Sequence, residues 1–373
     1  GFTTPTLREV FSSSARVRRW CDAETALAHA TAEAGLIPAA SARAIESACL
    51  GLTIEPGPLL EQGWAAGTPI LVLLDRLRAS LPSSVAPHLH FGATSQDILD
   101  TGTMLQVRDG FAELSRLLED TADALAASIR RHPRDWVMAR TLLQPALPTR
   151  FAWRVACWLD PVLELLDGVE RAAQGLPVQL GGPVGDLAAF GDSGAAVVAS
   201  FAKELGLSVP SMPWHTDRRP VAESVFIADR AAGAAEKVSA DLLLLSQKDV
   251  AEMRVPTAGS SSMGHKQNAI SAVRAVAAAR ACHGVSGIIL QAQAHELERA
   301  AGSWQSEWFA LPLVFQTAGA ALAAARDVVA GMELDVRRAA ENLDGADLPE
   351  ASPADAMVVQ VMERHRRRRG ERP

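Results

Sequence analysis

Apolar residues along this chain recur at spacings of three and four, the period of an α-helix and not of a strand. From Phe226 to Met253 the positions Ile227, Ala231, Ala234, Val238, Leu242 and Leu245 fall on one stripe. From Ala269 to Ala294 a second stripe runs through Ile270, Val273, Ala277, Ala281, Gly284 and Ile288. It is built largely from small residues, which let helix backbones approach closely. Further helical patterns cover Phe111 to Arg131, Thr149 to Gly168 and Trp304 to Val329. These lengths go well beyond the average of about 11–12 residues for globular helices. Helices so long bury a stripe in a bundle, and often in a partner chain. The expected fold class is all-α: a long-helix bundle, oligomeric.

The breaks divide the chain. Pro82 to His88 (PSSVAPH) is a loop, and Gly175 to Gly191 (GLPVQLGGPVGDLAAFG) is a Gly-rich connector. Pro210 to Pro220 (PSMPWHTDRRP) is irregular, and Val255 to Lys266 (VPTAGSSSMGHK) is too rich in Gly and Ser to be helical throughout. Edges near Pro87 and Asp335 predict an N-terminal helical domain over 1–87, a central long-helix bundle over 88–335, and a short C-terminal segment over 336–373.

Composition narrows the function. With 48% apolar and 21% charged residues, the 373-residue chain has an ordinary folding composition. Its 36 basic and 43 acidic residues leave a net charge of −7, which argues against nucleic-acid binding, where positive charge must displace phosphate counterions. The basic run Arg364 to Arg369 (RHRRRR) is expected to be a solvated, frayed end. Cys21, Cys49, Cys157 and Cys282 lack disulfide density and metal-ligand spacing, as expected of reduced thiols in a cytoplasmic protein. No signal-peptide pattern opens the sequence, and every apolar stretch is broken by charge or Gln, so no membrane span is expected.

Three polar segments lie between helical patterns. Gly259 to Asn268 (GSSSMGHKQN) combines backbone-permissive glycines, serine hydroxyls and the Lys266 ammonium, with Asn268 at the expected N-cap of the next helix. That arrangement suits a carboxylate- or phosphate-binding lid; the alternative is a flexible surface loop. His90 to Asp97 (HFGATSQD) places Thr94 and Ser95 at a helix start, for anion binding or for ordinary capping. Arg140 to Pro145 (RTLLQP) is the third.

Together, the order and spacing of these segments resemble the fumarase/aspartase superfamily. Its most specific signature, GSSxMPxKxN, is matched at Gly259, Ser260, Ser261, Met263, Lys266 and Asn268. Finer features are similar to the 3-carboxy-cis,cis-muconate cycloisomerase branch: HFGATSQDILDT (His90 to Thr101), LGGPVGDLAAFG (Leu180 to Gly191), PWHTDR (Pro213 to Arg218) and ERAAGSWQSEWFALP (Glu298 to Pro312). The resemblance covers roughly residues 5 to 345, too much for a chance motif match. It implies a homotetramer with a shared helical core, active sites built from three subunits, a small polycarboxylate substrate, and no metal or organic cofactor. It also implies proton transfer at a carbon beside a carboxylate, through an aci-carboxylate that concentrated donors must stabilise. Ser260 matches the catalytic serine, with Lys266 stabilising its alkoxide and His90 lining the site. Thr94, Ser95, Thr141, Gln144, Ser261, Met263 and Asn268 match substrate-binding or orienting positions. His215 is added as a substrate-site candidate, and both His215 and His265 as candidates for proton transfer.

Departures from the pattern shape the expected reaction. Leu142 stands where many lyases of the superfamily carry His, which favours the cycloisomerase branch. Gly264 and Ala269 replace prolines, which loosens the loop. Gln267 replaces a frequent Arg, and the C-terminal domain expected after about Asp344 is short. The expected activity is therefore lactonisation of 3-carboxy-cis,cis-muconate. The alternatives are a fumarate-releasing lyase acting on an N-substituted succinate, such as nitrosuccinate or an aspartate-like acid, and an inactive helical scaffold.

Overall fold

The computed structural model describes residues 1–53, 55–259 and 267–370. Among them the helices are α1 (Pro5–Val10), α2 (Ser13–Glu33), α3 (Ala39–Gly51), α4 (Pro56–Ala65), α5 (Pro69–Ser80), α6 (Ser95–Arg131), α7 (Phe151–Gly175), α8 (Gly194–Leu205), α9 (Arg219–Ser246), α10 (Ile270–Gln291), α11 (Ser303–Ala330), α12 (Val336–Leu343) and α13 (Asp355–Arg368). Short strands β1 (Trp136–Thr141) and β2 (Gln144–Arg150) form an antiparallel hairpin. Four two-residue strands, β3 (Met253–Arg254), β4 (Ala258–Gly259), β5 (Gln267–Asn268) and β6 (Glu333–Leu334), pair as β3 with β6 and β4 with β5. The protein is mostly helical, as its periodicity predicts.

Two apolar cores organise the helices. The larger lies among the long helices α6, α7, α9, α10 and α11, with Leu7 and Phe11 of the N-terminal segment packed into it. The smaller gathers α2 to α5, the start of α6, and the later segment from Val178 to Ala202. The Gly-rich connector and α8 therefore return to the N-terminal helices and do not merely link bundle helices.

The two stripes behave differently. Ala231, Val238, Leu242 and Leu245 of α9 are buried, as expected. On α10 the buried face is Ala272, Ala275, Ala278, Ala279, Cys282, Ser286 and Ile289. Most of the predicted stripe faces outward: Ile270 is 41% and Val273 48% exposed, and Ala277 and Gly284 are exposed too, while Ala281 and Ile288 are half-buried. By length and mean hydropathy α10 and α11 are both apolar enough to cross a membrane; 61% of the apolar 18-residue window of α11 is buried within the chain, and only 33% of that of α10. An apolar helix with its stripe turned to solvent lacks a partner surface.

Arg140 to Pro145 does lie between helices, α6 and α7, but as the tip of a β-hairpin that the helical patterns do not reveal. Pro145 and Pro148 had hidden β2, because proline usually argues against a strand interior. Two expectations need correction. Asn268 is not the N-cap of α10: it pairs with Ala258 across β4 and β5, and Ala269 takes the cap position. The Arg run does not fray. It forms the last turn of α13, where cations suit the helix dipole, and lies on acidic residues of α7 and α6. Arg364 bonds Glu164 at 2.9 Å and also Asp167, Arg368 bonds Asp167 and Glu170, and His365 contacts Asp123 at 2.8 Å.

Candidate functional site

The start of α6 is fixed by one carboxylate. Asp97, fully buried, accepts from the backbone N–H of Thr94 (2.9 Å) and Gly182 (2.9 Å) at Oδ2, and from Gly181 (3.0 Å) at Oδ1. His215 Nε2 lies 2.7 Å from the same Oδ1. Three backbone donors and an imidazole hold the carboxylate in place. It in turn ties the helix N-terminus to the Gly-rich connector and to PWHTDR. The connector needs glycine at 182: its φ is +78°, and a Cβ there would stand 2.8 Å from the Gly92 carbonyl oxygen.

Thr94 is therefore the N-cap, and Ser95 the first residue, of a 37-residue helix whose free N–H groups and dipole favour an anion. His90 stands beside it in a left-handed conformation, φ 60°, and its Nδ1 lies 2.6 Å from Glu24 Oε1 of α2. Burial works against the charged ring, but Glu24 outweighs it and raises the His90 pKa above the usual imidazole value. His90 is thus biased toward the protonated, charge-donating form.

Behind this layer sits a fully buried guanidinium. Arg218 donates to Asp100 Oδ2 (2.7 Å) and Oδ1 (3.0 Å), and to Glu307 Oε1 (2.9 Å) and Oε2 (2.6 Å). Trp304 Nε1 donates to Asp100 Oδ1 (2.9 Å), and Gln96 Nε2 to Asp100 Oδ2 (3.0 Å) and the His215 carbonyl (2.9 Å). One guanidinium serves two carboxylates. Burial pushes Glu307 up to about 7, against the pull of Arg218. His295, whose side chain is fully buried, lies 3.6 Å from Glu307 Oε1, and burial followed by the Arg218 charge lowers its pKa. Among the described residues its ring nitrogens have no hydrogen-bond partner.

Sequence reasoning passed over Asp97, Asp100, Arg218, Glu307 and Glu24, because charged residues on helices usually face water. The motifs carried the signal: HFGATSQD, LGGPVGDLAAFG, PWHTDR and ERAAGSWQSEW are bonded to one another through these residues. His215, a candidate for proton transfer, is 4% exposed and committed to Asp97. Its geometry is that of a positioning residue.

The other candidates lie elsewhere. Thr141 and Gln144 are exposed and pair across the hairpin, flanking Leu142 and Leu143, which are 97% and 67% exposed. The hairpin base is anchored where Arg140 donates to Glu252 Oε1 (2.6 Å) and Oε2 (3.0 Å), with Arg154 and Asn342 on the same buried carboxylate. Asn268 sits in β5, whose Gln267 is the register partner of Gly259. Ser260, Ser261, Met263, His265 and Lys266 lie outside the described residues. Among the described residues no hydrogen bond or ion pair joins the α6 start, the hairpin tip and the β4–β5 pair, and no cluster of three His, Cys, Asp or Glu is arranged to hold a metal. Within one chain, then, His90, Thr94, Ser95 and His215 converge, whereas Thr141 with Gln144, and Asn268, form two further groups.

A family model described as a lyase matches residues 65–284. A 3-carboxy-cis,cis-muconate cycloisomerase of Bradyrhizobium diazoefficiens is 36% identical over 346 residues, covering 91% of this chain and 77% of that protein. A nitrosuccinate lyase of Streptomyces davaonensis is 32% identical, covering 89% and 73%. The crystal structure of 3-carboxy-cis,cis-muconate lactonizing enzyme from Pseudomonas putida matches with a TM-score of 0.87 at 33% identity, over 92% of this chain and 78% of that one.

Proposed function

Because the chain belongs to the fumarase/aspartase lyase superfamily, whose enzymes act on small carboxylates, we propose that it catalyses cofactor-free addition or elimination beside a carboxylate, with lactonisation of 3-carboxy-cis,cis-muconate as its reaction. The observation that carries this reading is the α6 start. Thr94 and Ser95 head a long helix, their backbone is fixed by Asp97, and a His90 ring with a raised pKa stands beside them. That is a preorganised receiver for a substrate carboxylate.

Ser260 is the acid/base at the carbon beside that carboxylate, with Lys266 and loop N–H groups stabilising its alkoxide. Ser261, Met263 and Asn268 border it, and Thr141 and Gln144 hold a second carboxylate. The three groups meet when chains assemble as a homotetramer. The outward apolar stripe of α10 and the exposed leucines of the hairpin tip support this assembly. Leu142, in a position without acid/base chemistry, favours intramolecular attack by a substrate carboxylate over release of an amine.

The experiment is a direct competition of substrates. Turnover of 3-carboxy-cis,cis-muconate, followed by loss of its diene absorbance, is expected, and Ser260→Ala lowers it by orders of magnitude with the fold intact. Fumarate release from nitrosuccinate or an aspartate-like acid, without muconate turnover, replaces lactonisation with lyase chemistry. Full activity in Ser260→Ala removes the assigned base.

A further inference from the structure

A cavity of about 270 Å³ lies between α2, α4 and α5 on one side and α6 and α11 on the other. It is lined by a stretch of α6 from Leu99 to Gln106, about 6–16 Å along the helix from Ser95 at 1.5 Å rise per residue. The proposed reaction has no use for it. Its walls are largely apolar and aromatic, with Trp20, Trp64 and Trp308 among them, and Arg16 shares the lining.

Arg16 is out of place there. The cavity's two carboxylates are spent elsewhere: Asp100 on Arg218, Trp304 and Gln96, and Glu307 on Arg218. Arg16 itself makes one long contact, 3.5 Å from its guanidinium to the Trp308 carbonyl, and no ion pair among the described residues. Burial lowers its pKa. A second observation points the same way. Among the described residues the indole Nε1 of Trp308, a donor, and Gln305 Oε1, an acceptor, are buried without partners, and both residues line the cavity. A guanidinium and an indole N–H left unmatched among aromatic walls are costly unless a ligand supplies the acceptors. The planar guanidinium fits a carboxylate bidentately, and flat aromatic walls suit a flat apolar body.

We infer that this cavity binds a small monocarboxylate with a flat apolar body, its carboxylate on Arg16 and its body against Trp20, Trp64 and Trp308. A di- or tricarboxylate is disfavoured, because among the described lining residues Arg16 is the one cation and Asp100 and Glu307 are acidic. The site stands independently of the reaction proposed above.

Calorimetric titration of the intact protein with naphthalene-2-carboxylate tests it, with the neutral naphthalene-2-carboxamide alongside. Saturable binding of one carboxylate per chain is expected, with the carboxamide at least tenfold weaker. Arg16→Gln should bring the carboxylate down to the carboxamide's affinity. Trp64→Ala, at a side chain 71% exposed and therefore tolerant of truncation, should weaken both ligands at least fivefold. Three outcomes overturn the inference: no carboxylate binding at millimolar concentration, equal affinity for acid and amide, or wild-type affinity in both variants, which would put the acid in the catalytic pocket.

Discussion

The start of α6 and the tip of the β1–β2 hairpin look alike in sequence, each a few short polar side chains at the end of an element, yet they reach opposite states. At the α6 start the central carboxylate is dry and met by four partners, Thr94 from its own turn and three from two distant segments. At the hairpin tip Leu142 and Leu143 adopt left-handed conformations, φ 50° and 64°, with their side chains in water. A two-residue turn with both central residues at φ > 0 is ordinarily Asn-Gly or Asp-Gly, and a leucine there costs about 1–2 kcal/mol. The first region is complete inside one chain. The second is strained and apolar at the surface, which stability alone does not explain, and strain of this kind gathers at functional contacts. The proposed assembly supplies the contact.

The contrast is most sharply tested at Asp97. Asp97→Ala strands a buried imidazole and three backbone donors, and an expected loss of about 3–5 kcal/mol should appear in chemical denaturation. A loss below about 1 kcal/mol would show that the cluster does not hold the fold. The hairpin tip should respond in the opposite direction. Replacing Leu142-Leu143 by Asn-Gly should stabilise the chain by about 1–2 kcal/mol, while turnover falls or the oligomer dissociates on a sizing column. Stabilisation with full activity would leave the exposed leucines without a role.

A smaller, pH-linked effect is expected behind the α6 start. Glu307 ordinarily titrates near 4.5 and is held at about 7, chiefly by burial, so between those values the folded chain retains a proton that the unfolded chain has released. Its contribution is present below about 4.5 and lost as pH rises through 7. Glu307→Gln should flatten the fall in denaturation midpoint between pH 5 and 8; an unchanged slope would put the titration elsewhere. The smallest change belongs to the C-terminal helix. Arg364→Ala removes partly exposed ion pairs with Glu164 and Asp167, for an expected cost of about 0.2–1 kcal/mol in the same denaturation assay.

Most of the long helices were legible because burial imposes the 3.6-residue period on them. The boundary of α9 was less so: the pattern continues to Met253, but the helix stops at Ser246. The chain then turns so that buried Glu252 can meet Arg140 and Arg154. The hairpin escaped notice because Pro145 and Pro148 occupy β2 and leucines occupy its turn. In the candidate site, Thr94 and Ser95 could be named from a helix-start pattern, and His90 from the family resemblance. Asp97, Asp100 and Glu307 could not, because their partners Gly181, Gly182, His215 and Arg218 are 84 to 118 positions away, and pairing at that range leaves no local period. The α10 stripe was found by its period, but periodicity alone cannot tell an inward face from an outward one.

That outward stripe carries a consequence for the living cell. A freshly made chain enters water with an adhesive band along α10, which on the proposed assembly its sister chains cover. On the proposed assembly, survival becomes a matter of mass action: dilution unfastens the complex, exposes the band and invites aggregation, whereas abundance protects every copy.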